Sequence, residues 1–232
     1  MHRFYVSSIS PGATSFTLNE EESKHACRVL RLKNGDSLEL IDGKGNLFTC
    51  SIVDDHQKKC VVNVEAVYSE KSSPFHLHIA LAPTKNMDRM EWFIEKATEI
   101  GVSEITFLKS KNSERQQLKL ERLEKIAIAA MKQSKRLTLP QLNEMVDLKT
   151  FLQNYPNGLI AHCIEGDKQT ISDSLTSKNC PILIGPEGDF TKDEIDFAFA
   201  NGYKPITLGT NRLRTETAAL YACVEAALKF GS

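Results

Sequence analysis

Two short apolar runs, each leading through a glycine-containing loop into a helical pattern, constrain this chain more than any other part of it. The first is Pro181-Ile-Leu-Ile184, then Gly185-Pro-Glu-Gly188, then a helix starting near Thr191. The second is Pro205-Ile-Thr-Leu208, then a loop from Gly209 to Arg214, then a helix running to Lys229. Apolar runs this short, bounded by glycine and proline, read as strands buried on both faces. Strand, loop and helix twice over call for an α/β sheet, and ligands of such sheets sit at the carboxyl ends of the strands. The two loops are therefore the first candidates for a ligand site.

The glycines of the first loop let backbone approach a ligand closely or take up positive φ. Thr191 and Glu194 have the spacing of a capping box, so a tight strand-to-helix turn explains the tetrapeptide equally well. It is neither GxGxxG nor a P-loop. The second loop is more pointed. Arg212 and Arg214 stand just before a helix, where positive charge opposes the macrodipole, and violations of local rules tend to mark functional positions. Glu216, in the first helical turn, is favourable in any helix.

The rest of the chain narrows the class. Of its 232 residues 41% are hydrophobic and 25% charged, which suits a folded globular protein. The net charge of −1 supplies no long-range field for a polyanion, so nucleic acid would have to be held by local basic patches. No apolar run could span a membrane, and MHRFYVSS lacks the apolar core of a signal peptide. The six cysteines show no CxxC spacing and the six histidines no ligand spacing. The expectation is a cytoplasmic protein with reduced thiols, no metal and no membrane association.

The period of the sequence changes near residue 72. Before it lie Phe4–Val6, a helix from Glu20 to Leu30 announced by Asn19 and Glu22, hairpin turns at Asn34-Gly35 and Asp42–Gly45, and a strand from Cys60 to Val67. These predict a small β-barrel-like domain over 1–72, ending in the polar linker Ser69–Pro74. After it, strands at His76–Ala82, Ile105–Leu108 and Gly158–His162 alternate with helices. One has Met90, Phe93, Ile94, Ala97 and Ile100 on one face and Gly101 behind it; another runs from Leu118 to Lys135. Residues 73–232 are expected to form a mainly parallel sheet with helices on its faces. Two basic groups stand out: Lys24, His25, Arg28, Arg31 and Lys33, and Lys109, Lys111, Arg115, Lys135 and Arg136. Each alone reads as a solvated face.

The pairing of IGPEGDFTKDE with LGTNRLRTETAA resembles the SPOUT methyltransferase superfamily. More narrowly it is similar to the RsmE family, the bacterial 16S rRNA (uracil-N3) methyltransferases. The likeness continues upstream through His25-Ala-Cys-Arg-Val-Leu-Arg31 with Gly35-Asp36, MEWFIEKATEIGV at Met90–Val102, Ser113-Glu-Arg115 and the stretch from Ile126 to Ser134. It departs in two places. Asp189 stands where the family usually has a third glycine, and Thr210-Asn-Arg212 replaces Pro-Arg-Ile.

The resemblance implies a PUA-like N-terminal β domain that helps bind RNA, and a C-terminal α/β domain tied in a trefoil knot. It implies S-adenosylmethionine bound among three loops: that after Ala161, Gly185–Gly188, and Leu208–Leu213. Cofactor contacts would come from Ala161, His162, Leu183, Gly185, Pro186, Glu187, Gly188, Ile206, Leu208, Gly209, Leu213 and Thr217. Arg214 would stabilise negative charge on the uracil, Glu187 or Glu216 would accept its proton, and Arg3 would reach the substrate or the RNA backbone. Lys24, His25, Arg28, Arg31, Arg115, Arg136 and Arg212 would contact RNA. The implied partners are small-subunit rRNA within an assembled or nearly assembled 30S particle and a second copy of the chain. A SPOUT enzyme acting on a ribose 2′-hydroxyl and a non-catalytic RNA-binding protein are the competing readings.

Overall fold

The computed structural model describes residues 1–71, 75–177 and 179–230, so Ser72–Pro74 of the expected linker lie outside the described residues. Contacts divide the chain into two compact units, Met1–Ser72 with Met131–Leu139, and Ser73–Ala130 with Pro140–Ser232.

The first unit is a five-stranded sheet in the order β1-β3-β4-β5-β2, with β1 Arg3–Tyr5, β2 Ser15–Thr17, β3 Ser37–Ile41, β4 Asn46–Asp54 and β5 Val61–Ser69. Only β1–β3 is parallel. Register shifts in β4 against β5 bend the sheet. The three-residue strands β1 and β2 remain its edges, so it is an open half-barrel rather than a closed barrel. Phe4, Leu38, Leu40, Phe48, Cys50, Ile52 and Val62 form its core. Helix α1 (Glu20–Lys24) starts where Asn19 accepts the Glu22 amide, then widens into a π-helical turn, His25–Val29. That turn presses Ala26 and Cys27 into the core and leaves Arg28 and Val29 exposed.

The second unit is a six-stranded, all-parallel sheet in the order β11-β9-β10-β6-β7-β8. Its strands are β6 His76–Leu81, β7 Glu104–Lys109, β8 Gln141–Asp147, β9 Leu159–Ala161, β10 Asn179–Ile184 and β11 Lys204–Ile206. The two runs that opened the sequence reading, β10 and β11, are not neighbours, because β9 pairs with both. Strand residues alternate between faces. Ala80, Leu108, Ile160 and Leu183 pack with α4 (Leu148–Asn154) and α6 (Lys192–Ala200). On the other face α2 (Met87–Ile100) packs on α7 (Thr215–Phe230), and α7 on β6 and β10. Gly101 ends α2 at φ 105, and Thr191 and Glu194 complete the capping box of α6. A four-residue helix, α5 (Ile171–Ser174), follows β9.

Helix α3 (Leu120–Gln133) starts in the second unit, but Met131–Leu139 belongs to the first. By contacts, the stretch after residue 72 is shared between the two units. Met131 and Leu137 pack on Ile41, and Leu139 donates its amide to Gly43 O at 2.9 Å. The approach is close enough that a Cβ on Gly43 would lie 2.9 Å from the Tyr5 ring and 3.1 Å from Leu139 Cβ. Among the described residues no helix is long and apolar enough to cross a membrane, and no group of three His, Cys, Asp or Glu could hold a metal ion.

Candidate active site

The carboxyl ends of β9, β10 and β11 lie side by side, and the loops that leave them enclose a cavity of about 620 Å3. Its walls are Ala161, His162, Cys163 and Lys168 after β9, Ile184 to Glu187 with Asp189 after β10, and Ile206 to Arg214 with Thr215 and Ala218 of α7. Nearly every cofactor residue expected on the three loops lines it: Ala161, His162, Gly185, Pro186, Glu187, Ile206, Leu208, Gly209 and Leu213. So do Arg212 and Arg214, both exposed.

Several expected residues fall elsewhere. Leu183 points to the other face of the sheet and is buried with Ile160 and Phe190, as alternation along β10 requires. Gly188 turns away from the cavity towards Asn112, whose amide donates to the carbonyls of Gly188 and Asp189 at 3.0 Å each. Thr217 is exposed on α7; the cavity threonine is Thr215, whose hydroxyl donates to Gly185 O at 3.0 Å. Glu216 does not line the cavity. It is 6% exposed, with one carboxylate oxygen 3.6 Å from Arg89 Nε of α2, so it serves the packing of α2 on α7. Arg3 belongs to the first unit, where Nε and Nη2 bind Glu39 at 2.9 and 2.8 Å.

The expected RNA residues also separate. In the first unit Lys24 pairs with Glu20 at 2.7 Å and His25 lies 3.7 Å from Glu22 and edge-on to Phe4. Lys24 and Arg28 line a depression with Asp55, His56, Gln57 and Lys58. His56 and Lys58 carried no signal beyond being polar loop residues. Arg31 is exposed at φ 58, and Arg136 is half-buried. Arg115 is a brace: its guanidinium donates to Thr84 O at 3.2 Å and Lys85 O at 2.6 Å, tying the loop after β7 to that after β6.

The electrostatics of the cavity are mixed. Burial holds the His162 imidazole below its ordinary pKa, and the Lys168 cation acts in the same direction against Asp189. The neutral ring is favoured, and both nitrogens are shielded from solvent and make no well-formed hydrogen bond, although the Ile164 backbone is within reach of the ring. Burial, then the Asp189 carboxylate, raises the Cys163 thiol, which stays protonated. Arg214 stands at the N-terminal end of α7, its carbonyl accepting the Ala218 amide at 2.8 Å. Guanidinium and helix terminus together make that end of the cavity a place for negative charge.

Apolar walls, shielded ring nitrogens and a glycine at φ 104 with open space where a Cβ would project suit an amphipathic, nucleoside-sized ligand. Residues that the sequence reading did not single out as cofactor contacts complete the lining: Cys163, Lys168, Ile184, Asp189, Thr207, Thr210, Asn211, Thr215 and Ala218. The alternation that removes Leu183 also selects Ile184, and helical spacing sets Ala218 one turn after Arg214. Lys168 had no local signal, and Asp189 was marked only as a departure from the family's third glycine.

Comparison with known proteins places the whole chain in a family. The family described as RNA methyltransferase domain matches residues 71–226, and that described as RNA methyltransferase PUA domain matches residues 18–65. The ribosomal RNA small subunit methyltransferase E of Rickettsia conorii is 31% identical, the match covering 98% of this chain and 95% of that one. A crystal structure of a probable rRNA-methyltransferase from Porphyromonas gingivalis superposes with a TM-score of 0.89 at 39% identity, covering 99% of this chain and 98% of that one. A ribosomal RNA small subunit methyltransferase E from Neisseria gonorrhoeae, bound to S-adenosyl methionine, superposes with a TM-score of 0.84 at 26% identity, covering 98% and 97%.

Proposed function

We propose that this chain, which belongs to the ribosomal RNA small subunit methyltransferase E (RsmE) family, holds S-adenosylmethionine in the cavity over β9, β10 and β11 and methylates N3 of a uridine in 16S rRNA. The observation that carries the reading is the convergence of three loops on one cavity that has apolar walls, a shielded imidazole and two exposed arginines in its lining. The Neisseria relative binds the same cofactor.

When bound, the cofactor supplies a methyl group on a positively charged sulfur, already activated for attack. The chain's contribution is to bind, orient and stabilise. Ala161, Ile206, Leu208 and Leu213 offer apolar surface to the adenosine, and His162 offers a donor and an acceptor. Gly209 leaves backbone accessible. Uracil N3 carries a proton and becomes a good nucleophile as that proton leaves, placing negative charge on the ring oxygens. Arg214, at the positive end of α7, is the group to stabilise that charge. Glu187 is exposed on the cavity wall and can accept the proton, the role Glu216 cannot fill from its buried position. Most of the acceleration then comes from positioning.

RNA is held by Lys24, His25, Arg28 and Arg31 of the first unit and by Arg212 of the second, within a small ribosomal subunit. The chain acts as a homodimer in the cytoplasm. Tyr221, Val224 and Leu228 of α7, exposed at 45%, 40% and 81%, form an apolar stripe that supports self-association. A trefoil knot in the C-terminal region and a domain boundary at 72/73 go with family membership.

The test is methyl transfer itself. The purified protein is incubated with labelled S-adenosylmethionine and small ribosomal subunits that lack the modification, and the product nucleoside is mapped. Labelled 3-methyluridine is expected. A 2′-O-methylated product, or RNA binding without transfer, would refute the reading.

A further inference from the structure

One peptide bond in the cavity wall is held from both sides by opposite charges. The His162 carbonyl accepts a hydrogen bond from Lys168 Nζ at 2.6 Å. The Cys163 amide, the other half of the same peptide unit, donates to Asp189 Oδ2 at 2.7 Å. A peptide plane has one carbonyl and one N–H, and here an ammonium takes the first and a carboxylate the second. Both bonds are charge-assisted, the stronger class of hydrogen bond.

Asp189 is itself fixed for this task. Its backbone sits at φ 60, the left-handed region that aspartate tolerates better than most residues. Its other carboxylate oxygen accepts the Phe190 amide at 2.8 Å, and its carbonyl is held by Asn112. Asp189 therefore reaches from the loop after β10, anchored by the loop after β7, to the loop after β9. The peptide it grips carries His162, whose ring nitrogens make no well-formed hydrogen bond beyond the reach of the Ile164 backbone. The ring is oriented by an edge-on contact with Phe199, 6.0 Å between centroids, and by the backbone it hangs from.

We propose that Lys168 and Asp189 are positioning residues that clamp the His162–Cys163 peptide and so preset His162 and its loop for the cofactor. The inference rests on the cofactor reading given above. It makes the first cavity wall rigid before ligand arrives, so binding does not have to order it. Because the two side chains grip one peptide, loss of either frees most of what both hold, and their effects should be strongly non-additive.

The experiment compares the full chain with Asp189→Asn, Lys168→Met and the double variant. Asparagine tolerates the same φ, so the backbone need not rearrange. Each single variant is expected to raise the calorimetric Kd for S-adenosylmethionine by about tenfold, a modest value for lost charge-assisted bonds at a half-exposed site. The loss should fall on KM for the cofactor more than on kcat, and the double variant should bind no worse than about threefold below the weaker single one. Amide exchange at Cys163, read by NMR, should accelerate in Lys168→Met, which leaves the Asp189 bond chemically intact. A purely local stabilising role for Lys168 would not move that amide. If the unmodified protein binds no cofactor, the functional reading fails and this inference with it. If it binds, and Kd and Cys163 exchange are unchanged in Lys168→Met, the clamp alone is overturned, whatever the stability of the aspartate variants.

Discussion

The most quantitative expectation concerns His78, in the second unit. It is 3% exposed, with its ring edge-on to Phe151 and Tyr155 and Nε2 2.8 Å from Thr106 Oγ1. Burial pulls its pKa from 6.5 down to about 4, although the Glu104 carboxylate, 3.7 Å from Nδ1, pulls the other way and His76 adds a small push down. A histidine depressed in the folded state binds protons more readily when unfolded. Its stabilising contribution is therefore complete above pH 6.5 and is lost as pH falls towards 4. Linking the two values makes the fold roughly 2 kcal/mol less stable at pH 5 than at pH 7.5 from this residue alone. For Glu104, burial would raise the carboxyl, but hydrogen bonds from His76 and Asn143 and the charge of His78 outweigh it and leave the group below 4.5. Its own contribution is lost only as pH falls below 4.5, under the His78 window. Urea unfolding of the parent and of His78→Gln at pH 7.5, 6 and 5 isolates the effect, because groups outside the His76–His78–Glu104 cluster titrate alike in both and Glu104 titrates below pH 4.5. The variant should be less stable at pH 7.5 and lose roughly 2 kcal/mol less on acidification. Parallel pH dependences would refute the reasoning.

Other expectations follow from single contacts. Arg214→Ala should lower kcat by about 10²- to 10³-fold, as for loss of one donor to a developing anion, with a much smaller change in cofactor Kd. Equal losses in both would make Arg214 a structural residue of the loop. Glu216→Gln should leave kcat within about threefold of the parent and shift Tm instead, whereas loss of a general base costs about 10²- to 10⁴-fold. Gly158→Ala should destabilise by about 3 kcal/mol in thermal or urea melts, because its Cβ would lie 2.6 Å from Pro181 O and 2.7 Å from Tyr203 Cζ, neither free to move. A loss under about 1 kcal/mol would show that the site can relax.

What was legible in the sequence is what local chemistry encodes. Asn19, Thr191 with Glu194, and Gly101 mark helix ends through bonds and dihedrals that span a few residues, and they do so in the fold. The three loops around the cavity were legible through family resemblance and the run-loop-helix pattern. Strand β8 was not, since Gln141–Asp147 is a polar edge strand with no buried residue and so carries no apolar run. The insertion of β9 between β10 and β11, and the passage of Met131–Leu139 into the first unit, depend on pairings between distant residues that no window contains. The same holds for Asp189 with Cys163, and for Glu216, whose favourable place in a first helical turn says nothing about which way it points.

The cross-links between loops explain how labour divides within the cavity. The loop after β10 is tied to its surroundings throughout: Gly185 O to Thr215, Glu187 to the Lys85 amide at 3.4 Å, Gly188 and Asp189 to Asn112, and Asp189 to Cys163. The loop after β9 is held at His162 and Cys163. The loop after β11 is anchored at its ends, by the Thr207 amide on Gln169 O and by Thr215 on Gly185 O. Between those ends its hydrogen bonds join Thr207 to Gly209. Two walls are thus preorganised, which lowers the cost of ordering a small cofactor, while the third, which carries Arg212 and Arg214, has room to adjust. A large and irregular polyanion needs that freedom more than a fixed lattice of donors, so the least tied wall is the one that should meet the RNA.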